Sequence, residues 1–96
     1  MHSEKAERIF AALGDKTRLK IVRLLLGREN VCVNDILVEI GTSQPNISQQ
    51  IRILKNAGIV RVRKKGRKCC CKIANPEEIR EILRLAEKGG KNEDRY

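Results

Sequence analysis

A mainly helical domain carrying one small β-hairpin is the fold class this chain predicts, and three observations carry that expectation. Apolar residues recur at helical spacing in five separate stretches. Gly14, Gly27, Gly41 and Gly58 close the first four of them. Between the fourth and the fifth, Ile59, Val60 and Val62 start one strand, Lys64-Lys65-Gly66-Arg67 makes a basic turn, and Cys69 to Ile73 returns. The order helix-helix-helix-helix-strand-strand-helix is that of a winged helix-turn-helix, placed over residues 1–88 with a flexible polar tail over 89–96.

Ala6, Ile9, Phe10 and Leu13 stand at i, i+3, i+4 and i+7, one face of a first helix. Asp15 is placed to cap the second. Its Leu19, Ile21, Val22, Leu24, Leu25 and Leu26 make it apolar on nearly every side, so it belongs in the core. Val31-Cys32-Val33 is a short β-branched segment, and Asn34 is the expected cap of a third helix bearing Ile36, Leu37 and Ile40. Gly41-Thr42 makes a tight turn, and Ser43 caps the fourth helix, with Pro45 in the first turn, where its missing N–H costs nothing. Ile47, Ile51 and Leu54 form the buried stripe of that helix. Asn75-Pro76 opens the last helix, with Ile79, Ile82, Leu83 and Ala86 on one face.

Composition narrows the class of partner. Across 96 residues Lys and Arg outnumber Asp and Glu by 21 to 12, a net charge of +9. Such an excess on one small domain implies a polyanion, either nucleic acid or an acidic membrane surface. The membrane is the weaker option: no apolar run approaches the roughly 20 residues that span a bilayer, and no Trp is present to anchor an interfacial helix. Met1 to Phe10 is charged where a secretory signal needs a continuous apolar region, so a cytoplasmic location is expected. The four cysteines, Cys32, Cys69, Cys70 and Cys71, make a poor disulfide framework, because three are consecutive; free thiols in a reducing compartment fit better.

The fourth helix leaves Ser43, Gln44, Asn46, Ser48, Gln49, Gln50 and Arg52 outside its apolar stripe. An ordinary solvated face carries Lys and Glu. The uncharged amides Gln44, Asn46, Gln49 and Gln50, expected to cluster on one side of the helix, instead match adenine N6 and N7, each good pair giving about 1–3 kcal/mol of discrimination in the major groove. Arg61, Arg63, Lys64, Lys65, Arg67, Lys68 and Lys72 fall within twelve residues of the hairpin. Guarding an edge strand needs two or three charges. Seven repel one another without a counter-charge, and contact with a phosphate backbone, above all by Arg63, Lys64, Lys65, Arg67 and Lys68, accounts for them better.

The segments LGDKTRLKIVRLLL (Leu13–Leu26), VCVNDI (Val31–Ile36), SQPNISQQIRILKNAGIV (Ser43–Val60) and KKGRKCCCKI (Lys64–Ile73) together resemble the ArsR/SmtB family of winged-helix repressors, in order and in spacing. The resemblance implies a double-stranded DNA operator as partner. It also implies a homodimer joined through the first and last helices, which sets the two recognition helices about one DNA turn, roughly 34 Å, apart.

Family members sense soft metals or arsenite through cysteine pairs near the third helix, or zinc-like ions through Asp and His on the last. Pro76–Lys88 holds neither His nor Asp. Cys32 matches the first thiol of the C-x-C pattern, and Asn34 stands where the second belongs. No cofactor is required, but a soft metal or metalloid effector is possible at Cys32, Cys69, Cys70 and Cys71. Side chains alternate along a strand, so Cys69 and Cys71 share a face and Cys70 points the other way. Pairing of the Cys32 segment with that strand, common in winged helices, would bring Cys32 beside one of those faces. Oxidation, favoured if neighbouring Lys and Arg lower the thiol pKa, and plain packing as small hydrophobes are the alternatives.

The expected function is a sequence-specific DNA-binding repressor, not an enzyme: no nucleophile–base pair, paired carboxylates or phosphate loop is evident. The rival is a small cytosolic thiol protein that binds or traffics a soft metal, for which amides on an exposed helix beside a basic hairpin have no use.

Overall fold

A computed structural model of the chain describes residues 4–89. The elements run α1 (Glu4–Leu13), α2 (Lys16–Leu26), β1 (Val31–Cys32), α3 (Val33–Ile40), α4 (Gln44–Asn56), β2 (Val60–Lys65), β3 (Lys68–Ile73) and α5 (Pro76–Gly89). This is the winged helix-turn-helix order read from the sequence, with one more short strand. Of the tail expected over 89–96, Gly89 ends α5 and the rest lies outside the described residues.

The core gathers around α2, whose Ile21, Val22 and Leu25 are buried and which packs on α1, α3, α4 and β3. Asp15 caps it as expected, its carboxylate accepting from the Arg18 backbone N–H at 3.0 Å.

The start of α3 departs from expectation. Asn34 is not its cap: the helix begins at Val33, Cys32 holds the cap position without a side-chain hydrogen bond, and Asn34 is exposed. The sheet is the reason. Val31 pairs with Cys71 and Cys32 with Cys70, so extended backbone is held as far as Cys32 and released at the next residue. The β preference of Val33 gives way to that tertiary constraint.

Gly41 turns the chain from α3 to α4 in the left-handed region (φ 76°), its N–H bonding to Leu37 C=O at 2.9 Å. Ser43 Oγ accepts from the Asn46 N–H at 3.3 Å. Ile47, Ile51 and Leu54 are buried as one stripe. The far end of α4 closes in a Schellman motif: Ile59 N–H reaches Leu54 C=O at 3.0 Å, Gly58 N–H reaches Lys55 C=O at 2.9 Å, and Gly58 takes φ 79°. Ile59, 1% exposed, seals the motif against the core. The helix therefore hands the chain to β2 in a fixed direction.

The sheet order is β1-β3-β2, all antiparallel. The hairpin turn is tighter than expected. Lys64 and Lys65 belong to β2, Lys65 pairs with Lys68, and only Gly66 and Arg67 lie between. Gly66 has φ 62° and Arg67 is not among the positive-φ residues, the pattern of a II′ turn, whose twist matches that of the strands. α5 returns to α2, where Arg80 Nη2 donates to Leu26 C=O at 2.7 Å and Arg23 pairs with Glu87. Its Ile79 is buried, while Ile82 and Leu83 are half-buried. On the outer faces of α1 and α5, Phe10 and Leu85 stay 63% and 54% exposed.

Candidate nucleic-acid interface

At roughly 100° per residue, the polar residues of α4 divide into three sectors around the Ile47–Ile51–Leu54 stripe. Gln44 and Ser48 lie on one flank, Asn46 and Gln50 on the other, and Gln49 and Arg52 opposite the stripe. The four amides thus do not share a single side of the helix. Gln44, Ser48, Gln49 and Arg52 are exposed, as is Ser43 at the cap, whereas Asn46 and Gln50 are half-buried.

The half-buried pair is bonded inward. Arg18, in the first turn of α2, donates from Nε to Ala12 C=O (2.7 Å), from Nη2 to Ala11 C=O (3.3 Å) and from Nη1 to Gln50 Oε1 (2.8 Å). Gln50 Nε2 then donates to Asn46 Oδ1 at 3.0 Å, and Asn46 Nδ2 to Thr42 Oγ1 at 3.1 Å. A continuous chain of side-chain hydrogen bonds therefore runs from the C-terminal end of α1 to the turn before α4. Sequence reasoning passed over Arg18 and Thr42. The available signal was weak, because Arg18 is one of four cations on α2, beside Lys16, Lys20 and Arg23.

The hairpin stands beside this helix. Arg61, Arg63, Lys64, Lys65, Arg67, Lys68 and Lys72 are all exposed, and among the described residues none of them forms an ion pair. Gln44 and Ser48 share a cleft of about 510 Å³ with Arg67, Lys68, Cys32 and Cys69, which makes α4 and the hairpin tip one continuous surface. That surface presents uncharged hydrogen-bonding groups flanked by unpaired positive charge, the combination that suits base edges with adjoining phosphates.

The cysteines separate by face. Cys71 lies between Val31 and Val62 on β3, 1% exposed, and burial, reinforced by Cys69, Cys70 and Cys32, pushes its thiol up to about 11. Cys32 and Cys70 are direct cross-strand partners with their sulfurs 4.0 Å apart. Burial first, then Cys70 and Asp35, push the Cys32 thiol up against the opposing pull of Lys68. For Cys32 and Cys71 the lowered pKa expected from nearby Lys and Arg is thus not found: desolvation outweighs the charges. The four thiols do not converge on one point. Among the described residues no three His, Cys, Asp or Glu side chains are grouped to hold a metal ion, and the pair Cys32–Cys70 is what the sheet brings together.

The comparisons with known proteins agree with this geometry. A family model described as bacterial regulatory protein, arsR family, matches residues 15–62, from the cap of α2 into β2. The HTH-type transcriptional regulator MJ1325 of Methanocaldococcus jannaschii is 43% identical over 84 residues, 88% of this chain and 93% of that protein. The arsenical resistance operon repressor of Escherichia coli is 39% identical over 59 residues, 62% of this chain and 50% of the repressor. The crystal structure of Rv0081 from Mycobacterium tuberculosis superposes with a TM-score of 0.76 at 36% identity, covering 88% of this chain and 82% of that one.

Proposed function

The chain belongs to the arsR family of bacterial regulatory proteins, a winged helix-turn-helix transcriptional regulator, and from that premise we propose that it is a homodimeric cytoplasmic repressor whose α4 reads an operator in the major groove while its hairpin grips the flanking phosphates. One observation carries the reading. Exposed, uncharged Gln44 and Ser48 adjoin Arg67 and Lys68, two of seven exposed hairpin cations that have no ion-pair partner among the described residues. The amides offer geometry without charge and the hairpin offers charge without geometry, which are the separate needs of base readout and backbone contact. Exposed Phe10 on α1 and Leu85 on α5 support the pairing of two subunits there, since large apolar side chains left in water favour a covering partner. No helix among the described residues is long and apolar enough to cross a membrane.

The effector reading follows from the sheet. A thiophilic agent (soft metal ion, metalloid or oxidant) joining Cys32 to Cys70 would draw the residue preceding α3 against the central arm of the wing and shift the basic turn relative to α4. The 4.0 Å separation of the sulfurs supports this pair over the remaining thiols. Fluorescence anisotropy on a duplex selected by the protein from a random pool tests both parts. Salt-sensitive, sequence-preferring binding is expected. Its loss on addition of cadmium, arsenite or peroxide should vanish in Cys32→Ser and Cys70→Ser and persist in Cys69→Ser. Binding indifferent to sequence would overturn the repressor reading, and wild-type binding indifferent to all three agents would overturn the effector reading.

A further inference from the structure

Two of the amides on α4 are engaged within the molecule, and the pattern of that engagement assigns roles. We infer that Arg18 is a positioning residue, holding α4 at a fixed rotation through Gln50 and Asn46, and that base reading falls to Gln44, Ser48, Gln49 and Arg52. The inference rests on α4 entering the groove.

An amide has one carbonyl and one NH₂ to offer, and a bidentate contact with adenine uses both. Gln50 has its Oε1 on Arg18 and its Nε2 on Asn46. Asn46 has its Oδ1 on Gln50 and its Nδ2 on Thr42. Turning either side chain to a base breaks the chain of bonds, and the bond from Arg18 is charge-assisted, about twice as strong as a neutral one. Arg18 is itself fixed by two carbonyls at the end of α1, so its guanidinium cannot follow Gln50 outward.

The remaining grip on α4 from the core is the stripe Ile47, Ile51 and Leu54, and apolar contact is non-directional. A helix held that way alone can roll by a few degrees, and a roll swings Gln49 sideways relative to the base edges. A planar guanidinium with three directed bonds resists it. Gln50 and Asn46 sit on the flank facing α2, so Arg18 restrains the helix on the side away from the hairpin.

The test uses the full chain, a duplex that wild type selects from a random pool, and a scrambled duplex of the same length and composition. Arg18→Lys keeps the charge and loses the fork; Gln50→Ala loses the acceptor but leaves the two carbonyl bonds of Arg18, so it stays folded if Arg18→Lys does not. Each should reduce the ratio of selected to scrambled affinity by about tenfold, the scale of one misplaced base contact, with no further loss in the double variant and no change of salt slope in Arg18→Lys. Gln50→Glu keeps the acceptor for Arg18 but loses the donor to Asn46 Oδ1, so it should retain part of the preference that Gln50→Ala loses. Additive losses in the double variant would overturn the inference and make Gln50 a base reader. Equal weakening on both duplexes in Arg18→Lys with a lowered melting temperature would reduce Arg18 to a fold-stabilising residue. A wild type that selects no sequence would overturn groove reading by α4 and the inference together.

Discussion

Helix α4 and the β2–β3 hairpin lie side by side but are restrained to very different degrees. α4 is capped by Ser43, closed by a Schellman motif, seated on three buried aliphatics and tied laterally to Arg18. Beyond Val62 the hairpin leaves its β2 arm and its two-residue turn exposed, and it carries cations with no ion-pair partner among the described residues. The difference suits the two roles proposed for them. Hydrogen bonds to base edges discriminate only if donors and acceptors are held in place. Attraction to phosphate tolerates motion, because it falls off gently with distance and comes largely from released counterions. A rigid reader beside a loosely held charged clamp is a division of labour that mutation can take apart.

The largest expected effect is in the clamp. If a dimer neutralises six to ten phosphates, log K should fall with log salt at a slope of about −5 to −9. Replacing Lys64, Lys65 and Arg67 by Ala removes six charges per dimer and should flatten that slope by up to about 5, weakening every duplex alike. Wing variants that lose sequence preference at constant slope would erase the distinction between the two regions.

Next come the exposed amides. Gln44→Ala and Gln49→Ala should each cost about 1–3 kcal/mol of preference for the selected duplex over a scrambled one, with the salt slope unchanged. Competition binding at two salt concentrations measures both quantities. Unchanged preference in both variants would mean that sequence is read through DNA shape or from another element.

A smaller effect probes the rigidity of the helix end. Gly58 has φ 79° and nothing crowds its absent Cβ, so Gly58→Ala strains the backbone alone, by roughly 1 kcal/mol. Thermal unfolding should shift down by about 4–8 °C for a domain of this size. An unshifted transition would show that the Schellman closure is not what fixes the exit of α4.

The smallest concerns the core face of β3. Burial pushes the Cys71 thiol up to about 11 in the folded chain, above its ordinary value of about 9. Its contribution is therefore intact below pH 9 and lost as pH rises toward 11, where ionisation favours the unfolded chain. Denaturant midpoints should fall over that window less steeply in Cys71→Val than in wild type. Parallel curves would place Cys71 outside the core.

The parts of this arrangement that could be read from sequence are those encoded locally. The stripe Ile47, Ile51 and Leu54, the cap at Ser43 and the glycine at 58 lie within one helix length of one another, and helical period and cap chemistry identify them directly. The basic hairpin is equally local. What escaped depends on partners far along the chain. Gln50 looks like a free amide until Arg18, 32 residues earlier, is brought against it. Asn34 looks like a cap until β1 is tied to a strand 38 residues later, and the same pairing selects Cys70 over Cys69 or Cys71 as the neighbour of Cys32. Composition around the thiols pointed to lowered pKa values. Burial, which no local pattern expresses, reversed the direction at Cys32 and Cys71.

The most direct test of a rigid reader paired with a charged clamp is a salt titration of wild-type binding to two duplexes, the selected sequence and its scrambled counterpart. Two parallel lines of log K against log salt are expected, both falling steeply because the hairpin meets phosphate on either duplex. They should be separated by at least about 10³ in affinity, because only one sequence satisfies α4. Coincident lines would remove the reader, and a flat dependence on salt would remove the clamp.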